Sequence, residues 1–154
     1  MDFKIEERAF NTQKIIYIPV TLPHDDMRDT GRFFMKLGIH TFQNSGKATG
    51  LTFIHYINET ESTIDMEICF EVDELMPETE EIKAKEINIR SGKYAVAYHQ
   101  GSRKELPGVY VKMQEWFKEQ GLERSGDPLI ELYLNNSHQV TEKELLTQLL
   151  WPIV

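Results

Sequence analysis

Hydrophobic and polar positions alternate with two different periods along this chain, and together they predict strands and helices. Short runs rich in β-branched and aromatic residues, bounded by polar turns, are typical of β-strands. Such runs predict eight strands, at residues 3–8, 14–20, 51–57, 64–72, 82–90, 93–99, 129–134 and 147–154. Short polar connections predict that strands 3–8 and 14–20, strands 51–57 and 64–72, and strands 82–90 and 93–99 form hairpins.

Helical spacing occurs twice. In the second half of the chain it predicts a helix that begins between Ser102 and Pro107 and ends before Gly121. The residues that recur at this spacing are Leu106, Val109, Tyr110, Met113 and Phe117. In the first half, Met27, Thr30, Phe34 and Leu37 predict a poorer helix. Gly31 weakens that helix by about 1 kcal/mol.

The predicted elements follow the order β-β-α-β-β twice, which indicates an α+β fold built from two similar halves. The halves are residues 1–72 and 82–154, and an acidic linker at 73–81 joins them. We expect one domain over residues 1–154. Neither small sheet closes a good core alone, so we expect a concave surface between the halves, where small ligands tend to bind.

A close match between the halves singles out one acid. Tyr56-Ile57-Asn58 aligns with Tyr133-Leu134-Asn135, and Ile54 then aligns with Glu131. Alternation along residues 129–134 places Glu131 and Tyr133 on one face of the strand and an apolar row on the other. We expect the apolar row to pack against the helix, so that Glu131 lies on the opposite face.

Composition limits the possible functions. The formal net charge of −8 disfavours binding to nucleic-acid phosphates and suits cationic small molecules or basic protein surfaces, although such acidity also simply aids solubility. A single cysteine, Cys69, excludes an internal disulfide framework. The sequence has neither a secretory signal nor an apolar run of about 20 residues, so we expect a cytoplasmic protein that does not span a membrane.

Aromatic residues are candidates for the wall of a binding pocket around Glu131. A cation over an aromatic face gains about 0.5 to 2 kcal/mol. The simpler alternative is that they belong to the core, and the alternative for Glu131 is an ordinary surface acid. The candidate ligand-binding set is Glu131, Tyr133, Tyr98, Trp116, Tyr110, Tyr56, Tyr17 and Ile54.

Several segments carry a resemblance to a known family. They are the run Tyr98-His99-Gln100-Gly101-Ser102, then Tyr110 and Trp116, then residues 129–134, and finally the segment 149–154. The chain resembles the gyrase-inhibitor-like (GyrI-like) small-molecule-binding domains, which include effector-binding domains of multidrug-sensing transcription regulators of the AraC and MerR types.

The resemblance implies duplicated β-α-β-β modules in an antiparallel eight-stranded arrangement, with two helices on one side and a central ligand cavity. It also implies that Glu131 faces the cavity and holds lipophilic cations against nearby aromatic rings. Arg103 and Lys104 depart from the family pattern. If these cations reach the pocket, neutral or anionic ligands become plausible.

Three hypotheses follow from these observations. The first is a stand-alone binding module for lipophilic or cationic molecules, acting as a sensor or by sequestration. The second is a hydrolase of reactive small molecules, in which Glu131 serves as general acid or base with Tyr98 or Tyr133. The third is a protein-interaction module, like the gyrase inhibitors, with a regulator or gyrase as partner. No histidine or cysteine spacing indicates a metal, and we expect no cofactor.

Overall fold

The computed structural model describes residues 3–10, 13–24, 30–44, 46, 48–89, 91–135 and 139–154. Within these residues the fold consists of antiparallel strands and two α-helices, which confirms the predicted α+β class. The strands are β1 Phe3–Arg8, β2 Gln13–Pro23, β3 Ala48–Glu59, β4 Thr63–Val72, β5 Lys83–Ile87, β6 Gly92–Gln100, β7 Ile130–Tyr133 and β8 Leu146–Pro152. The helices are α1 Gly31–Gln43 and α2 Leu106–Gln120.

The chain divides into two compact units that differ from the predicted halves. The contiguous unit is Phe10–Ile89, and the split unit combines Met1–Ala9 with Arg90–Val154. The strand order is β3-β4-β2-β5 in the contiguous unit and β1-β6-β8-β7 in the split unit. The contiguous unit therefore includes β5 from the second predicted half, and the split unit includes β1 from the first.

Two of the three predicted hairpins are wrong. Strand β1 pairs with β6, so that Arg8 lies opposite Gly92, and strand β5 pairs with β2, so that Lys83 lies opposite Tyr17. The hairpin of β3 and β4 is confirmed. Short polar connections predicted pairing between neighbours in sequence, but the edge strands pair with strands that are distant in the chain.

Helix α2 has the predicted position and termination. Gly121 adopts the left-handed conformation, with φ of 65°, and its N–H closes the last turn on Lys118 and Phe117. The helix buries Leu106, Val109, Met113 and Phe117. Burial contributes about 1.5 to 3 kcal/mol for each large apolar side chain, so this row is the main attachment of the helix to the sheet.

Helix α1 packs against β4 and β2 of the contiguous unit. It buries Phe33, Leu37, His40 and Thr41, while Phe34 is only half-buried. Met27, the first residue of the predicted helical row, lies outside the described residues. Of the helices in the described ranges, neither is long and apolar enough to cross a bilayer.

Candidate binding site around Glu131

One face of the split unit's sheet carries Glu131, and we call it the acid face. Its centre is a row across three strands, in which Glu131 of β7 pairs with Leu149 of β8, and Leu149 pairs with Ala97 of β6. Alternation places the residues two positions away on the same face. The acid face comprises Ala95, Ala97, His99, Glu131, Tyr133, Thr147, Leu149 and Trp151.

Helix α2 covers the acid face, so the predicted orientation of Glu131 away from the helix is wrong. Ala95, Ala97, Leu149 and Trp151 pack in one cluster with the buried residues of α2. The prediction assumed that only one face of β7 is buried. In the structure Ile130 is 1% exposed, Glu131 is 3% exposed and Leu132 is 6% exposed, so both faces are buried and the apolar row does not mark the helix side.

Two phenols hold the Glu131 carboxylate. The hydroxyl of Tyr110, on α2, donates a hydrogen bond to Oε1 at 2.5 Å, and the hydroxyl of Tyr133 donates one to Oε2 at 2.8 Å. A hydrogen bond to a charged group contributes about 1.5 to 3 kcal/mol, whereas an isolated buried carboxylate is strongly disfavoured. These bonds therefore allow the acid to be kept inside an otherwise largely apolar cluster.

Aromatic rings form a wall next to the carboxylate. Trp151 meets the Tyr110 ring edge to face, with centroids 6.0 Å apart, and lies 5.1 Å from the Phe117 ring. Across from Leu149 and Trp151, strand β6 presents only the small side chains of Ala97 and Ala95. Such rings offer electron-rich faces and edge positions to a flat or cationic ligand.

Two buried polar atoms flank the acid without a hydrogen-bond partner among the described residues. They are Oγ1 of Thr147, which belongs to the strand position opposite Tyr133, and Nε1 of Trp151. Leaving such a group unsatisfied costs about 1 to 3 kcal/mol. Most buried polar groups in native proteins bond another protein group or an ordered water, so these two atoms are positions where a water or a ligand could bind.

Arg103 reaches the acid face from the 3-10 helix Arg103–Glu105, which follows β6. Its guanidinium carbon lies 3.9 Å from the centroid of the Tyr133 ring, and Nη2 donates to the carbonyl oxygen of Asn135 at 3.2 Å. Burial lowers the pKa of Arg103, and the nearby Tyr133 and Glu131 partly oppose that shift. Lys104, the other cation noted in the sequence, is exposed.

The backbone before Arg103 fixes where this side chain begins. Gly101 has φ of 130°, a conformation that favours glycine, and its N–H donates to the carbonyl of Leu145. Ser102 caps the following turn by accepting a hydrogen bond from the Lys104 N–H at 3.2 Å. The run that carried the family resemblance therefore places Arg103 at a defined point beside the sheet.

The contiguous unit has the same strand arrangement at the matched positions but not the same chemistry. Ile54 pairs with Ile68, and Ile68 pairs with Ile18, which parallels the row of Glu131, Leu149 and Ala97. The next row parallels Tyr133, Thr147 and His99, and consists of Tyr56, Met66 and Val20. The acid, the threonine and the histidine thus occur in one copy only.

Comparison with known proteins identifies the family. The sequence model described as GyrI-like small molecule binding domain matches residues 1–154. The chain belongs to this family. The resemblance noted from the sequence is therefore confirmed over the whole chain, and a small-molecule-binding domain is the function class that the family carries.

Solved structures share this GyrI-like fold at low sequence identity. EcmrR in a complex with DNA matches at a TM-score of 0.80 and 15% identity, over 98% of this chain but 57% of that chain. The EcmrR C-terminal domain alone matches at 0.76 and 16%, over 99% of this chain and 97% of that one. This GyrI-like chain therefore spans little more than half of EcmrR.

Two further structures have the same fold. SAV2435 bound to tetraphenylphosphonium matches at a TM-score of 0.64 and 18% identity, over 100% of this chain and 94% of that chain. A hydrolase from Listeria innocua matches at 0.58 and 12%, over 98% and 92%. At these identities the likeness concerns the fold.

Of the predicted site residues, the structure brings Glu131, Tyr133 and Tyr110 into direct contact. Trp116 packs between Phe3 and Phe117, and Phe117 in turn contacts Trp151 of the acid face. Tyr56 and Ile54 lie on matched strands of the contiguous unit, at the positions equivalent to Tyr133 and Glu131.

The remaining two tyrosines lie on other faces. Tyr98 alternates with Ala97 and His99, so it lies on the side of the sheet opposite Glu131, and it is 49% exposed. Its hydroxyl accepts a hydrogen bond from Arg8 at 3.4 Å. Tyr17 belongs to the contiguous unit, where the Lys85 ammonium lies 4.3 Å from its ring centroid.

Sequence reasoning missed Trp151 and Thr147 as members of the site. Alternation along β8 could have found them, because both lie an even number of residues from Leu149. Their pairing with the strands next to Glu131 depends on the sheet register, which the sequence does not reveal. Arg103 was noted only as a departure from the family pattern, and the structure places it on the Tyr133 ring.

Proposed function

We propose that this GyrI-like domain binds small lipophilic cations at the acid face, with Glu131 as the counter-ion. The observation that carries the proposal is a carboxylate that is 3% exposed, held by two phenols and surrounded by aromatic rings. Electrostatic attraction is much stronger in such a poorly hydrated setting than in water. A bound cation gains both this attraction and contact with the rings.

The two phenol hydrogen bonds are compatible with such a ligand. An ionised carboxylate has about four lone-pair sites, and Tyr110 and Tyr133 occupy one on each oxygen. A quaternary cation has no N–H to donate, so it binds through its charge and its apolar surface. Tyr110 and Tyr133 can therefore keep their bonds to Glu131 while a quaternary cation lies against the rings.

The comparisons support both the ligand class and a regulatory context. SAV2435, which shares the fold, is bound to tetraphenylphosphonium, a lipophilic cation. EcmrR, whose C-terminal domain matches this chain, forms a complex with DNA. We propose that this chain serves as an effector-binding module for a transcription-regulating system, either as a sensor or by sequestration of its ligand.

Calorimetric titration with tetraphenylphosphonium tests the proposal on the full chain. Glu131→Gln removes the charge and keeps the volume, so we expect affinity to fall about tenfold or more. Glu119→Gln is the matched control, because Glu119 is an exposed acid on the same helix that supplies Tyr110. Equal affinity in all three proteins would remove Glu131 from the site, and no binding to any of them would exclude this ligand class.

One observation favours hydrolysis as a second candidate function. Short contacts of 2.5 and 2.8 Å between the Glu131 carboxylate and two phenols are suitable for proton transfer, and a hydrolase from Listeria innocua shares the fold. In that case Tyr110 or Tyr133 would assist Glu131, since Tyr98 lies on the opposite side of the sheet. Steady-state turnover of activated esters that is lost in Glu131→Gln and kept in Glu119→Gln would support it.

A further inference from the structure

We propose that Arg103 is a built-in cation that competes with ligand cations for Glu131 and the Tyr133 ring, and so determines the charge selectivity of the site. The inference rests on the proposed function, because it concerns the same acid face. Arg103 thereby becomes a specificity-determining residue.

The position of Arg103 is the one that a ligand cation would favour. Its guanidinium lies 3.9 Å from the centre of the Tyr133 ring, and the hydroxyl of that same ring bonds Glu131. A planar guanidinium stacks on an aromatic face in the way that lipophilic cations do. The Arg103 side chain is half-buried, and Nη2 is anchored to the Asn135 carbonyl.

The charges on Arg103 and Glu131 are coupled. Burial lowers the pKa of Arg103, while Tyr133 and Glu131 raise it, so the acid's field reaches the guanidinium. An arginine remains protonated at neutral pH even when its pKa is lowered. The acid face therefore holds the positive charge of Arg103 beside the negative charge of Glu131.

This arrangement predicts a competition. A lipophilic cation cannot occupy the Tyr133 face together with Arg103. Both would lie on the same ring, and two positive charges that close together repel strongly in a poorly hydrated site. The ligand must displace the guanidinium, whose long side chain can swing away on its four side-chain torsions. A lipophilic anion would instead be attracted to Arg103. Removal of Arg103 should therefore shift the preference toward cations.

Arg124 provides a matched control. Its guanidinium carbon lies 4.5 Å from the centroid of Trp151, another ring of the acid face, so the type of contact is the same. Arg124 is exposed, however, so solvent and salt screen its charge far more than that of the half-buried Arg103. A general effect of removing one positive charge from the split unit would appear equally in both arginine variants.

The experiment uses two probes of nearly the same shape and opposite charge, tetraphenylphosphonium and tetraphenylborate. Both are titrated calorimetrically into the wild type, Arg103→Gln, Arg124→Gln and Glu131→Gln. We expect Arg103→Gln to bind the phosphonium about tenfold more tightly, equivalent to about 1.4 kcal/mol, and to bind the borate about tenfold more weakly. Arg124→Gln should match the wild type with both probes.

The outcomes separate the two proposals. If Glu131→Gln weakens phosphonium binding but Arg103→Gln leaves it unchanged or weaker, the competition is overturned and the proposed function stands. If the phosphonium binds no variant, including Arg103→Gln, both are overturned. Should Arg103→Gln fail to fold, Arg103→Met is tested in its place, because methionine keeps an unbranched side chain but has neither the charge nor the stacking plane. Phosphonium binding tighter than in the wild type supports competition, and unchanged binding overturns it.

Discussion

The hydroxyl of Tyr110 lies 2.5 Å from Oε1 of Glu131, and this hydrogen bond joins helix α2 to strand β7. The bond makes Glu131, the charged member of the central row of the acid face, a point of attachment for the helix. A ligand that changes the electrostatic surroundings of Glu131 therefore acts directly on the contact between helix and sheet.

Tyr110→Phe should lower the free energy of unfolding by about 1 to 3 kcal/mol. The substitution keeps the ring against Trp151 but removes one donor from a buried carboxylate. Urea denaturation measures the change. Tyr98→Phe is the control, because its hydroxyl is on an exposed ring with a 3.4 Å contact to Arg8, and its effect should stay within about 0.5 kcal/mol. Equal changes in the free energy of unfolding would show that the hydrogen bond to Glu131 contributes no more to stability than the exposed contact of Tyr98.

Replacing Glu131 and its two phenol donors with apolar side chains should abolish the contribution of the acid to ligand binding without lowering the stability of the fold. Isoleucine stands at the matched position, Ile54, where its row is wholly aliphatic. The triple variant Glu131→Ile, Tyr110→Phe, Tyr133→Phe removes the acid together with both hydroxyl donors. We expect it to unfold at the same denaturant concentration as the wild type or a higher one, because replacing a buried charged network with apolar groups is often neutral or stabilising.

The same triple variant should bind tetraphenylphosphonium at least about tenfold more weakly, since it has no counter-ion. Calorimetry and urea denaturation on one preparation give both quantities. A large loss of stability with binding retained would contradict the view that Glu131 is kept for its function.

Two glycines in the split unit should respond oppositely to alanine. Gly101 has φ of 130°, so Gly101→Ala forces a strained backbone and should lower the free energy of unfolding by about 1 kcal/mol or more. Gly108 lies in helix α2 with open space around it, and Gly108→Ala should raise the free energy by about 0.5 to 1 kcal/mol. Thermal unfolding of both variants measures the difference, and a shift of the same sign in both would contradict it.

The contiguous unit should lose stability in acid through Glu67. Lys85 Nζ lies 2.9 and 2.8 Å from its two carboxylate oxygens, and His55 Nδ1 lies 3.5 Å from Oε1. Burial would raise the pKa of Glu67, but the hydrogen bonds and charges of His55 and Lys85 outweigh it and hold the pKa below the ordinary 4.5. The stabilisation is therefore present above the ordinary pKa and is lost as the pH falls through the folded-state pKa.

Glu67→Gln should accordingly lower the free energy of unfolding at about pH 7 and have a smaller effect at about pH 3. Glu80→Gln, at an exposed acid of the linker, is the control and should change little at either pH. Guanidinium or urea denaturation at the two pH values measures both. A Glu67 effect that does not depend on pH would assign its role to packing alone.

The sequence predicted the elements of the fold well because each depends on local periodicity. Strand β1 and helix α2 lie where the pattern placed them, with Gly121 ending the helix as expected. Which strand pairs with β1 or β5 depends instead on contacts between segments far apart in the chain. No local pattern distinguishes a hairpin partner from a distant one, so those two pairings were predicted wrongly.

The candidate site was predicted in part for the same reason. Glu131 and Tyr133 share a face because side chains two apart in a strand always do. The side on which the helix packs could not be derived, since β7 is buried on both faces and polarity then no longer marks the exposed one. The contact of Arg103 with Tyr133 depends on a turn whose direction is fixed by Gly101, and spacing alone does not predict it.

The pairing of Arg8 with Gly92 gives the chain the topology of an insertion. The polypeptide leaves one unit after β1, builds Phe10–Ile89, and returns to the neighbouring strand directly opposite its point of departure. A variant in which a short turn joins Arg8 to Gly92 would therefore lack the contiguous unit. It would keep every residue of the acid face and all of helix α2. The unit that contains Glu131 is therefore interrupted in sequence by the unit that has Ile54 at the matched position.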